Sequence, residues 1–127
     1  MSKKALIITD GTETIKNITQ GITEVLSGYD ITSCTADEFD GTSLLCADVF
    51  FIGCENSGSP SFSYLEEMLK HINLAARKCG VFTVNESALS YLCQLVKDSE
   101  AKMGNPLHIT DNNIDKALLK NWVMSIL

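Results

Sequence analysis

The apolar positions of this chain change period repeatedly, from continuous runs to a spacing of three and four and back again. Ala5–Thr9 is an apolar run closed by a threonine, the pattern of a strand buried on both faces of a parallel sheet. Ile15, Ile18, Ile22, Val25 and Leu26 follow at helical spacing, and Gly28 is the stop signal. Gly21 lies inside that helix and costs about 1 kcal/mol against alanine, which predicts a close approach of the helix to the sheet. Asp30–Cys34 reads as a second, edge-like strand. The connection from Thr35 to Leu45 carries a weak helical piece ending in Leu44, Leu45 and Cys46.

Val49–Cys54 is apolar throughout and predicts the central strand. Phe62, Leu65, Met68, Leu69 and Ile72 mark the next helix, Gly80–Val84 the next strand, and Ala88, Leu89, Leu92, Leu95 and Val96 a further helix. Pro106–Ile109 is a short last strand. Ile114, Ala117, Leu118, Trp122, Val123 and Ile126 form a final amphipathic helix, with Asn112 and Asp115 at capping-box spacing.

Five strands alternating with helices predict one α/β domain over residues 1–127, with a parallel sheet because each connection carries a crossover. In such sheets ligands bind beyond the carboxyl ends of the strands. The loops after Thr9, Cys54, Val84 and Ile109 therefore hold the candidate chemistry.

Composition narrows the classes. Hydrophobic residues are 45% and charged residues 20% of the 127, an ordinary globular balance. No apolar run approaches the roughly 18 residues of a membrane span. Met1-Ser-Lys-Lys4 leads straight into a strand-like run, so the expected location is the cytoplasm. The net charge of −6 argues against nucleic acid and anionic membrane as partners. Cys34, Cys46, Cys54, Cys79 and Cys93 are odd in number with no C-x-x-C pair, and read as small hydrophobes. Neither His71 nor His108 has a cysteine at zinc-ligand spacing, so no metal is expected.

The loop after the first strand, Thr9-Asp10-Gly11-Thr12-Glu13-Thr14, sets three hydroxyls and one glycine at a helix start. Oriented N–H groups and hydroxyls there would seat a phosphate. The same residues also suit an N-cap at Thr12 or Asp10, with Glu13 near the positive end of the helix dipole. Asp10 and Glu13 place two carboxylates in the same turn, against a phosphate. The central strand ends in Gly53-Cys54-Glu55-Asn56-Ser57-Gly58-Ser59-Pro60, a turn rich in glycine and serine. The third loop, Val84-Asn85-Glu86-Ser87, enters a helix directly; Asn85 and Glu86 can cap it or meet a ring edge.

The hydroxyl spacing Thr9-x-x-Thr12-x-Thr14 resembles the phosphate loop of flavodoxins, Ser/Thr-x-Thr-Gly-x-Thr, with Gly11 and Thr12 in reverse order. Gly53, Cys54, Gly58 and Ser59 resemble the second flavin-contacting loop of short-chain flavodoxins, and Lys78–Thr83 resembles their fourth strand. The third loop departs, with no glycine and no stacking aromatic before Tyr91; Phe62 or Tyr64 are alternative rings, though Phe62 falls on the core stripe. The resemblance implies a flavodoxin-like three-layer sandwich with strand order 2-1-3-4-5. It implies FMN, with phosphate on Thr9, Asp10, Gly11, Thr12, Glu13 and Thr14. The ring would lie between Glu55, Asn56, Ser57, Gly58 and Ser59 and Asn85, Glu86 and Ser87. In the family the peptide ahead of the second-loop glycine, here Ser57–Gly58, turns over to meet flavin N5 on reduction.

Two functions follow. In one the chain is a monomer or weak dimer that carries electrons on FMN to a redox partner protein, with no catalytic residue and no enzyme activity of its own. In the other it is a flavodoxin-like domain with a degenerate flavin site, acting as a binding or interaction module. A phosphoacceptor receiver is excluded by Cys54 where its aspartate would stand, and by Thr110 and Asp111 where its lysine would stand. Cysteine phosphatase and Ser-His-Asp hydrolase patterns are absent from the sequence.

Overall fold

The computed structural model describes residues 3–39, 41–56, 60, 62–75, 77–109 and 115–127. Its elements are β1 (Lys4–Thr9), α1 (Glu13–Val25), β2 (Asp30–Thr35), α2 (Gly41–Cys46), β3 (Val49–Cys54), α3 (Phe62–His71), β4 (Lys78–Thr83), α4 (Glu86–Lys97), β5 (Lys102–Met103), β6 (Leu107–His108) and α5 (Lys116–Ile126). The sheet runs β2-β1-β3-β4-β5, with β6 also beside β4, and every pairing is parallel.

The period of two along each strand sorts side chains onto two faces. Ala5, Ile7, Val49 and Phe51 face one core, closed by Ile15, Ile18 and Ile22 of α1 and by Leu119, Trp122 and Val123 of α5. Leu6, Ile8, Phe50 and Ile52 face the other, closed by Leu44 of α2, Phe62, Leu65 and Leu69 of α3, and Leu92 and Val96 of α4. The result is a three-layer α/β sandwich with strand order 2-1-3-4-5. Among the described residues no helix is long and apolar enough to cross a membrane.

Four details differ from the sequence reading. The last strand is two pieces: Lys102–Met103 pairs with Lys78 and Cys79, and Leu107–His108 with Phe82 and Thr83. Gly104-Asn105-Pro106 lies between, and proline cannot donate to a ladder. The fourth strand starts at Lys78 and stops at Thr83; Val84 falls outside it, because the Thr83 hydroxyl takes the Asn85 amide (3.1 Å) and turns the chain toward α4. Asp115 is itself the cap of α5, accepting from the amides of Ala117 (3.0 Å) and Leu118 (3.2 Å), so it is not the inner residue of a capping box. Asn112, Ile114 and the loop after Ile109 lie outside the described residues. Finally, Gly21 serves helix against helix: a Cβ there would stand 2.5 Å from Leu119 Cδ2 of α5, not against the sheet.

The central strand is wedged by aromatics. A Cβ on Gly53 would stand 2.3 Å from the Phe82 ring. Trp122 packs its ring 5.6 Å from that of Phe51 and 6.2 Å from that of Phe82, and its indole N–H donates to the Asn105 carbonyl (2.7 Å). Phe82 is fully buried and cannot swing into solvent. Gly53→Ala is therefore expected to destabilise the fold by about 1–3 kcal/mol through overpacking, read as a lower urea midpoint at unchanged slope. An unchanged midpoint would show that Phe82 has room to move.

Candidate functional site

Strands β1, β3 and β4 end level with one another. Thr9 lies opposite Gly53, Gly53 opposite Phe82, and Cys54 opposite Thr83. The three loops that follow therefore start side by side.

The first loop is shaped by one left-handed residue. Gly11 has φ +78°, and a Cβ there would also press within 3.1 Å of Thr35 Cγ2. Thr12 is then extended (φ −69°, ψ 156°) and caps α1, its hydroxyl accepting from the Ile15 amide at 3.4 Å. The order Gly-Thr thus has a local cause: positive φ comes first and the cap second. The Thr9 hydroxyl accepts from the Gly11 amide (3.2 Å). Asp10 spans further than a cap. Its Oδ1 accepts from the Thr12 amide (3.4 Å), and its Oδ2 accepts from the Glu55 amide (2.8 Å) in the second loop. The amides of Glu13 and Thr14, at the start of α1, have no acceptor among the described residues. Glu13 is exposed and Thr14 half-buried.

The second and third loops are joined as well. The Thr83 hydroxyl donates to the Cys54 carbonyl (2.6 Å) while accepting from the Asn85 amide. Asn85 caps α4, its Oδ1 accepting from the Ser87 amide (3.1 Å) and the Ser87 hydroxyl (2.9 Å). Of the sequence-assigned residues, Thr9–Thr14, Glu55, Asn56 and Asn85–Ser87 thus sit on three neighbouring loops, with Asn56, Glu86 and Ser87 exposed. Ser57, Gly58 and Ser59, and with them the Ser57–Gly58 peptide, lie outside the described residues. Sequence reasoning missed Thr83 and the reach of Asp10. A lone hydroxyl ending the apolar fourth strand was the signal for the first; nothing local signals the second.

The candidate stacking rings are engaged elsewhere. Phe62 is fully buried in the core. Tyr91 packs 6.2 Å from the Phe62 ring, and its hydroxyl donates to the Glu66 carboxylate. Burial and then that hydrogen bond push its phenol pKa up. Tyr64 pairs with Phe39, ring centres 5.0 Å apart. Beneath the loops, burial and then the Asp10 charge push the Cys54 thiol up to about 12. On the β2 side, Thr9 and Gly11 border a groove of about 480 Å³ shared with Lys16, Thr35 and Glu38. There Thr35 Oγ1 is buried without a hydrogen-bond partner.

No protein-family model matches the chain, and no curated protein matches it significantly by sequence. Solved structures do. The Streptococcus pneumonia TIGR4 flavodoxin superposes with a TM-score of 0.82 at 15% identity, over 98% of this chain and 97% of that one. Flavodoxin 2 from Bacillus cereus superposes with a TM-score of 0.81 at 19% identity, over 97% of both chains. A short-chain flavodoxin associated with a non-canonical PDU bacterial microcompartment gives 0.82 at 12% identity, over 99% and 97%. The fold is that of the flavodoxins. At these identities the likeness reaches the flavodoxin fold and no further; residue roles have to come from the loops themselves.

The thiols give a direct check on the site's floor. A raised pKa means less thiolate at a given pH, and the thiolate is the nucleophile. At pH 8, Cys46, which is exposed, is expected to take iodoacetamide within minutes, while Cys54 and Cys79, both buried, stay unmodified until the protein unfolds. Peptide mass spectrometry reads the order; early labelling of Cys54 would mean that the first and second loops open readily.

Proposed function

We propose that this flavodoxin-fold chain is an electron carrier that holds a flavin where the carboxyl ends of β1, β3 and β4 meet. The observation that carries the reading is the Asp10 Oδ2 bond to the Glu55 amide. It ties the loop expected at one end of a flavin to the loop expected at the other, so that the two form one site. The amides of Glu13 and Thr14, open at the positive end of α1, add donors on the same turn.

Glu55 and Asn56, with Ser57–Ser59 beyond them, would border the ring on one side, and Asn85–Ser87 on the other. A bound flavin would supply the redox chemistry, while the chain supplies orientation and electrostatics. The chain needs no acid, base or nucleophile of its own for this. A net charge of −6 suits docking on a basic redox partner and disfavours nucleic acid. Five unpaired thiols suit a reducing compartment such as the cytoplasm.

FMN is the flavin to which the phosphate-loop resemblance leads, and its two ends fare differently here. The turn offers open amides for a phosphate, but the Asp10 carboxylate already takes two amides at that place. The turn therefore fits the uncharged part of a flavin better than its phosphate. A second reading, a flavodoxin-fold interaction module without flavin, is favoured by the aromatics: Phe62, Tyr64 and Tyr91 are all engaged with other side chains.

The test is colour and stability together. Protein purified from cells is expected to absorb near about 370 and 450 nm, as oxidised flavins do. A colourless preparation is expected to take up added flavin and gain about 2.7 kcal/mol at one hundred times Kd, several degrees in Tm. Protein that stays colourless, with Tm unmoved by millimolar FMN or riboflavin, would overturn the flavin reading and leave the interaction-module reading standing.

A further inference from the structure

We propose that Asp10 is the residue that sets the charge this site accepts: it stands as a built-in anion on the α1 turn, so the site favours a phosphate-free, uncharged flavin over FMN. The inference rests on the flavin reading for the identity of the ring. Its claim about phosphate stands on the turn alone.

A phosphate bound at a helix start needs N–H donors that converge and a neighbourhood free of like charge. Three of the turn's amides are already taken by the turn's own oxygens: Gly11 by Thr9 Oγ1, Thr12 by Asp10 Oδ1 and Ile15 by Thr12 Oγ1. The fourth donor, the Glu55 amide, comes from the facing loop and is held by Asp10 Oδ2 at 2.8 Å, the shortest of these bonds. Asp10 is half-buried and has no ion-pair partner among the described residues. Its charge is therefore met by backbone dipoles alone and is not cancelled.

A phosphate seated on the remaining amides, those of Glu13 and Thr14, would lie three to four residues along the same turn from Asp10. It would meet the Asp10 charge at short range, with the exposed Glu13 carboxylate as a second like charge. Lys16, the one lysine on the adjoining groove, shares that groove with Glu38. An uncharged flavin meets none of this repulsion, and the carboxylate has lone pairs left to accept from hydroxyl groups of its side chain.

The experiment compares wild-type protein with Asp10→Asn and, as a second variant, Asp10→Ser, both checked for native circular dichroism. Asparagine removes the charge and keeps one acceptor oxygen, enough for the Glu55 amide or the Thr12 amide but not both; serine removes the charge and shortens the group. FMN and riboflavin are titrated at fixed ionic strength, and Tm is measured in inorganic phosphate against chloride. For wild type, riboflavin is expected to bind at least as tightly as FMN. In a charge-free variant the preference for FMN over riboflavin, read as the ratio of the two affinities, is expected to rise about tenfold or more, whatever the loss common to both ligands. Phosphate is expected to raise the Tm of the variants and not of wild type.

A wild-type preference for FMN, or a smaller rise in the ratio, overturns the inference. If no form binds either flavin, the flavin reading falls, and phosphate decides the rest. Stabilisation of the variants alone upholds the resident anion; equal or absent effects on all three proteins overturn it.

Discussion

A half-buried carboxylate without a cation beside it must be met by N–H donors, and Asp10 is met by amides from two different loops. That requirement organises the carboxyl end of the sheet. Holding the Thr12 amide fixes the entry into α1, and holding the Glu55 amide fixes the exit from β3. The same charge helps burial to raise the Cys54 thiol. The third loop joins through Thr83, whose hydroxyl takes the Asn85 amide while donating to the Cys54 carbonyl.

These bonds exist only because the strands beneath them stop at the same height. The register that sets Thr9 opposite Gly53 and Cys54 opposite Thr83 is fixed by packing on both faces. A slip of one residue along β3 would exchange Phe50 and Ile52 with Phe51 and Gly53 between two filled cores. Gly53 is bound to its place from the side too, since only a residue without a Cβ lets the Phe82 ring lie across it. The positions of the loops are thus dictated by core residues far from any ligand chemistry.

The same division explains what could be read from the chain. Strands β1 and β3 are continuous apolar runs, and α1, α3 and α4 carry their stripes at helical spacing, so their order and type follow from pattern alone. The broken last strand was harder, because β5 and β6 hold two residues each and two residues have no period. Gly21 predicts a close approach to the sheet, but the neighbour it makes room for is Leu119 of α5, 98 positions along, and nothing in the helix names it. At the site, Thr12 as a cap is a local choice and was legible. The Asp10–Glu55 bond spans 45 residues and depends on strand ends being level, a fact of tertiary register that no loop sequence contains.

The reversed Gly11-Thr12 pair and the acid before it belong to one solution. A turn whose left-handed residue comes first presents the following threonine as the cap, and the α1 amides that remain face outward from a positive helix end. Some anion is favoured there, and a phosphate or a side chain can supply it. Here the chain carries the carboxylate covalently, so ordering the turn costs no binding event and no association entropy. The loops can then hold their arrangement without a ligand, and under the proposed function affinity would come from the ligand's uncharged surface and from the second and third loops. If the turn holds a ligand as proposed, Asp10 limits how much of that ligand's binding can rest on charge.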